Sequence, residues 1–168
     1  FRTVNGFQSW ALPICLPSDE MMGAMVPGSA GLRTWRRMSH AFVMDVATYP
    51  KMFMMTDAAV NIFPTLEDKR DIVQNAIDLA HALGIALPKV GILSAVEVIN
   101  PKIPSTVEAA ALCKMADRGQ ITGGILDGPL AFDNAISAQA AKTKGIISQV
   151  SGDVDILLAP DLESANML

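Results

Sequence analysis

The segment 52–97 holds the pattern that most restricts the fold. Two short, nearly continuous apolar runs, residues 52–60 and 89–97, flank a stretch in which Ile72, Val73, Ala76, Ile77, Leu79, Ala80 and Leu83 recur at helical spacing. A strand without polar alternation is covered on both faces, and a full helix before the second run predicts parallel pairing there. The chain therefore reads as α/β, a three-layer mixed sheet with helices on both faces.

The helix is the best-marked element. Pro64 and Thr65 open it, Thr65 and Asp68 have capping-box spacing, and Gly84 closes it. Residues 40–48 predict another apolar strand, joined to 52–60 by the hairpin link Tyr49-Pro50-Lys51, with both members covered. Further on, the pattern predicts a helix capped by Ser105 and running to about Asp117, a strand over 124–126, and a turn at Asp127-Gly128-Pro129. A single alanine-rich helix over 133–144, a strand over 154–159 and the start of a helix after Pro160 complete it. Residues 18–26 predict a helix with Ser18 as its cap. Residues 1–17 have neither helical nor alternating periodicity and read as a non-native or disordered leader, 18–38 as the tail of one domain and 39–168 as a second domain cut within its last helix.

Net charge is −4 and the pI about 5.0, which disfavours a polyanion-binding surface and hence a nucleic-acid partner. Although 51% of residues are hydrophobic, Asp45, Lys51 and Asp57 interrupt the most apolar region, far short of the ~20 apolar residues of a membrane span. Cys15 and Cys113 are distant in sequence, as suits a reducing compartment, and the expectation is a cytoplasmic protein. With only His40 and His81 besides, ligands for a structural zinc are too few.

Candidate chemistry concentrates in residues 121–134, where a glycine pair, an apolar strand, Asp127-Gly128-Pro129 and Asp133-Asn134 meet a helix start. In α/β proteins that edge binds ligands. At the end of the second strand Asp57 and Asn61 lie among small side chains, and either line a ligand site or satisfy turn amides. Arg33, Arg36 and Arg37 around Trp35 read as a phosphate clamp or a solvated connector. His81 and Cys113 read as structural, and Ser94 lacks the Gly-x-Ser-x-Gly frame of a hydrolase nucleophile.

Thr56-Asp57-Ala58-Ala59-Val60-Asn61, the block from Leu126 through Asp127-Gly128-Pro129 to Asp133-Asn134-Ala135, and Pro160-Asp161-Leu162 with Asn166 stand in an order that resembles the phosphate acetyltransferase and phosphate butyryltransferase family. The wording is most similar to the subgroup often fused to an enoyl-CoA hydratase module. The resemblance covers residues 18–168 and implies acyl phosphate plus coenzyme A giving acyl-CoA plus phosphate, without metal or bound cofactor. It implies a fold like that of isocitrate and isopropylmalate dehydrogenases, with the site between two α/β domains, and a homodimer or larger assembly. Substrate-binding positions under it are Ser18, Thr56, Asp57, Asn61, Asp127, Gly128, Asp133 and Asn166. Ala58 falls where many of these acetyltransferases have cysteine. The family's Ser-Arg pair and thiol-base aspartate are expected beyond Leu168, so a fragment truncated at both ends would be inactive.

Two other classes follow from the residues. Asp127, Asp133 and Asp161 as Mg²⁺ ligands would suit a hydroxy-acid dehydrogenase, although no Gly-x-Gly-x-x-Gly is present. The third is a coenzyme A-binding or assembly domain without catalysis.

Overall fold

The computed structural model describes residues 34–168 together with Glu20 and Gly23. The leader expected over 1–17, Ser18 and Arg33 lie outside the described residues; of the helix expected over 18–26, Glu20 and Gly23 are described, both helical. Arg37–Leu168 form one compact unit.

That unit contains a five-stranded mixed sheet: β1 (Ala41–Met44), β2 (Phe53–Thr56), β3 (Lys89–Leu93), β4 (Ile125–Leu130) and β5 (Ile156–Leu158). Its spatial order is β1-β2-β5-β3-β4, with β1 antiparallel to β2 and the other neighbours parallel. The helices are α1 (Leu66–Ala82), α2 (Pro104–Asp117), α3 (Phe132–Ile136), α4 (Ala138–Thr143) and α5 (Leu162–Met167).

Strand alternation divides the core. Met54, Val90, Ile92, Ile156 and Leu158 pack with Ile72, Ile77, Ala109 and Leu112 of α1 and α2 on one face. Phe53, Met55, Leu93 and Leu157 pack with Ala135 of α3, Val150, Val154 and Ala165 of α5 on the other. Each fully buried Ile or Leu contributes roughly 1.5–3 kcal/mol. The expected α/β sheet with helices on both faces is therefore present.

Several boundaries differ from the sequence expectation. β2 is buried throughout, but Phe42 and Val43 of β1 are 45% and 50% exposed, because β1 is an edge strand with one neighbour. The third strand ends at Leu93 rather than continuing to Glu97. Asp127-Gly128-Pro129 is no turn; β4 runs through it to pair Leu130 with Leu93. Gly128 has no room for a side chain, since a Cβ would lie 2.7 Å from the Ile92 carbonyl oxygen. Helix 133–144 is broken at Ser137, whose extended backbone ends α3 and whose Oγ accepts from the Ala140 N–H to cap α4. α2 begins at Pro104 after Ile103, so Ser105 lies inside it and is not its cap. Among the described residues no helix is long and apolar enough to cross a membrane.

Candidate active site

The last strand enters the middle of the sheet, and this decides where a cleft opens. The chain leaves β3 into α2 on one face and leaves β5 into α5 on the other. Neighbouring parallel strands whose exits diverge leave a crevice at their carboxyl ends. A cleft of about 680 Å³ lies there, lined by Leu93, Ser94 and Ala95 after β3, Pro104 and Ser105 at the start of α2, and Pro160 and Asp161 after β5. Phe63, Phe132 and Met167 supply apolar wall.

Its polar groups come from four elements. Lys69, on the inward face of α1, is 4% exposed, and its Nζ lies 2.5 Å from Glu108 Oε2 of α2. Ser94 and Ser105 share a hydrogen bond of 2.8 Å between their hydroxyls. Asp161 caps α5, accepting from the Ser164 N–H at 2.8 Å and O–H at 2.7 Å. The start of α2 has no side-chain cap, whereas Thr65 and Asp68 form the full capping box on α1.

Among the described lining residues, none of the positions expected to bind substrate appears in this cleft. Four of them meet beside it, at the end of β2. Thr56 donates to the His40 carbonyl at 2.6 Å. Asp57, 3% exposed, accepts from the N–H groups of Ala59, Val60 and Asn61 and from the Asn61 amide. Asn61 accepts from Arg37 Nε at 2.7 Å, and Asn166 donates to the Ala58 carbonyl at 2.6 Å. Of the two readings of Asp57 and Asn61, satisfaction of turn amides is what the contacts display. Asn166 also borders a second hollow of about 290 Å³ with Phe42, Met55 and Phe132.

The remaining candidates are separate. Asp127 accepts from the Gly128 N–H at 2.9 Å within β4, and Asp133 is exposed in the first turn of α3. Among the described residues no three His, Cys, Asp or Glu side chains cluster, so Asp127, Asp133 and Asp161 do not form a shared ligand set. His81 Nε2 is 2.8 Å from the Gly123 carbonyl and pins the glycine pair. Burial, and next the charges of Asp127 and Asp117, push the Cys113 thiol up to about 12, as suits a packed thiol. Arg37 is engaged by Asn61 and Asp68, and Arg36 lies 5.5 Å from the Trp35 ring centroid.

Sequence reading missed Lys69 and Glu108. The signal was present: Lys69 precedes Ile72, Val73 and Ala76 by three, four and seven residues, and Glu108 precedes Leu112 by four, so each charge falls on an apolar stripe.

Residues 29–168 match the sequence family described as phosphate acetyl/butaryl transferase. The chain belongs to that family. It is 63% identical over 153 residues to a phosphate acetyltransferase of Rhizobium meliloti, covering 91% of this chain and 48% of the relative. It is 50% identical over 138 residues to a phosphate butyryltransferase of Clostridium acetobutylicum, covering 82% and 46%. The fold is similar, with a TM-score of 0.81, to a branched-chain phosphotransacylase from Enterococcus faecalis V583, which is 34% identical; the match covers 90% of this chain and 54% of that one. The chain thus spans about half the length of these phosphate acetyl/butaryl transferase relatives.

Proposed function

We propose that the full-length protein is a phosphate acyltransferase, joining an acyl phosphate to coenzyme A and releasing phosphate, with no bound cofactor or metal. The supporting observation is the carboxyl-edge cleft, which sets a buried lysine and two hydroxyls beside an apolar wall in a chain of this family. Acyl transfer to a thiol needs a base to form the thiolate, donors for the oxyanion at the attacked carbonyl, and positive charge at the departing phosphate. Lys69 suits the last requirement, with the serine hydroxyls as neighbouring donors.

Residues 18–38 are then the tail of a first α/β domain and 39–168 the second, in an isocitrate and isopropylmalate dehydrogenase-like pair with substrate held between them, working as a homodimer or larger assembly in the cytoplasm. Thr56, Asp57, Asn61 and Asn166 support the rim of the cleft at the end of β2. Asp127 and Gly128 hold β4 against β3 and α2, and Asp133 faces the incoming substrate.

Formation of the coenzyme A thioester from acetyl phosphate and from butyryl phosphate, without added metal, tests the reading. The two substrates differ by two methylenes, worth about 1.6 kcal/mol or roughly fifteenfold in selectivity if both are buried. Folded full-length protein that turns over neither substrate would overturn it. Reduction of a nicotinamide by a hydroxy acid would instead favour a dehydrogenase.

A further inference from the structure

We propose that Lys69, with the hydroxyls of Ser94 and Ser105, forms a subsite for the phosphoryl group of the acyl phosphate and for the released phosphate, and that Glu108 is the counter-ion which that anion displaces. The identity of the anion rests on the acyltransferase reading; the existence of an anion subsite rests on the geometry alone.

Lys69 is the only cation among the described residues lining the cleft. It rises from a stripe of α1 that is otherwise apolar and is 4% exposed, so its charge is held in place only by what faces it. Glu108 provides that charge, but its side chain is 30% exposed and lines the same cleft. The carboxylate of the pair thus borders the cavity, and it is there that an entering anion exchanges with it. A strut between α1 and α2 is served equally well by apolar side chains, because a buried pair gains little over them. An ammonium kept beside a cavity supplies what a strut does not need, a positive charge that a ligand can reach.

The two serines add directional donors. One hydrogen is used in the bond between Ser94 Oγ and Ser105 Oγ, which leaves the other hydroxyl hydrogen for a ligand. Ser105 belongs to the first turn of α2, a helix of 14 residues whose amino end carries no side-chain cap, so its dipole reinforces the same sign of potential. Asp161 also lines the cleft, its carboxylate held by Ser164, and its negative charge disfavours an anion beside it.

The test titrates the full-length protein with inorganic phosphate and, separately, with coenzyme A, by calorimetry and by amide chemical shifts at Ser94 and Ser105. Phosphate is expected to shift both amides, and K69M to weaken its binding by about tenfold or more, as loss of a charged hydrogen-bond partner implies. K69M is expected to leave coenzyme A affinity unchanged. E108Q is expected to tighten phosphate binding, because the competing carboxylate is gone; a purely structural pair would give unchanged or weaker binding. K69M/E108L, which removes both charges, guards against misfolding and is expected to melt like the parent while failing to bind phosphate. Unchanged phosphate affinity in K69M or K69M/E108L overturns the proposal. So does a K69M loss confined to coenzyme A, which would assign the subsite to the phosphates of that substrate. Lys69-dependent phosphate binding without thioester formation would sink only the acyltransferase reading. Turnover combined with Lys69-independent phosphate binding would sink only the subsite.

Discussion

Both edges of the sheet place lysines against carboxylates, with different consequences. At the amino edge Lys51 Nζ lies 2.7 Å from Asp155 and 2.8 Å from Asp153, and Lys89 Nζ lies 2.6 Å from Asp153. The backbone joins in: Lys89 N–H donates to Asp155 Oδ2, Lys51 Nζ to the Asp153 carbonyl and Tyr49 Oη to the Val154 carbonyl. Every charge there ties the ends of β2, β3 and β5 to one another. At the carboxyl edge the Lys69–Glu108 pair joins α1 to α2 but faces an open cleft. An ion pair saturated by backbone locks strands in place, while one bordering a cavity keeps its charge accessible to a ligand.

Substitutions can break or sharpen this contrast. The largest effect is expected from Asp155→Ala at the amino edge, which removes one of the two carboxylates that hold Lys51 and leaves the Lys89 N–H unmet. A loss of about 3 kcal/mol is expected from urea unfolding; a loss near zero would remove the locking role. Lys69→Met is expected to cost less, about 2 kcal/mol, because Glu108 can relax toward solvent, and adding Glu108→Leu should recover most of it. Failure of the second change to rescue would make the carboxyl-edge pair as structural as the other.

Within the carboxyl edge, Thr65→Ala removes the hydroxyl that caps α1 and is expected to cost about 1 kcal/mol in the same measurement. The smallest effect concerns acid. Hydrogen bonds from Lys51 and then Lys89 hold the Asp153 carboxyl below its usual value. A depressed carboxylate contributes stability above its unfolded value near ~3.9, and that contribution is lost as pH falls through the lower folded value. Melting temperature followed below about pH 4 should therefore fall less steeply in Asp153→Asn than in the parent. Because Asp153 is 53% exposed, solvent screening keeps the difference small. Identical acid profiles would remove Asp153 from the locking network.

The legibility of the chain varies with how local its causes are. The α1 helix was readable end to end, because its capping box, its 3.6-residue stripe and Gly84 are all local signals. The break at Ser137 was hidden inside an alanine-rich run, where composition favours helix and only the hydroxyl at a cap position says otherwise. Gly128 was read as a turn because Asp-Gly-Pro is turn chemistry, yet its glycine is required by the approach of Ile92, a residue of another strand.

For function, the ordered blocks at Asp57, Asp127 and Asp161 carried the family in the sequence itself, since each is a short contiguous string. The α/β class was likewise fixed by local periodicity, because apolar spacing decides which backbone can bury a segment. Insertion of β5 between β2 and β3 was decided only in three dimensions, and so was the cleft that forms where its exit diverges from that of β3. Lys69 and Glu108 stand 39 residues apart and meet only because α1 and α2 cover the same sheet face. No local pattern specifies such a contact; its cause is the packing of both helices onto strands that the chain has yet to complete when α2 is made.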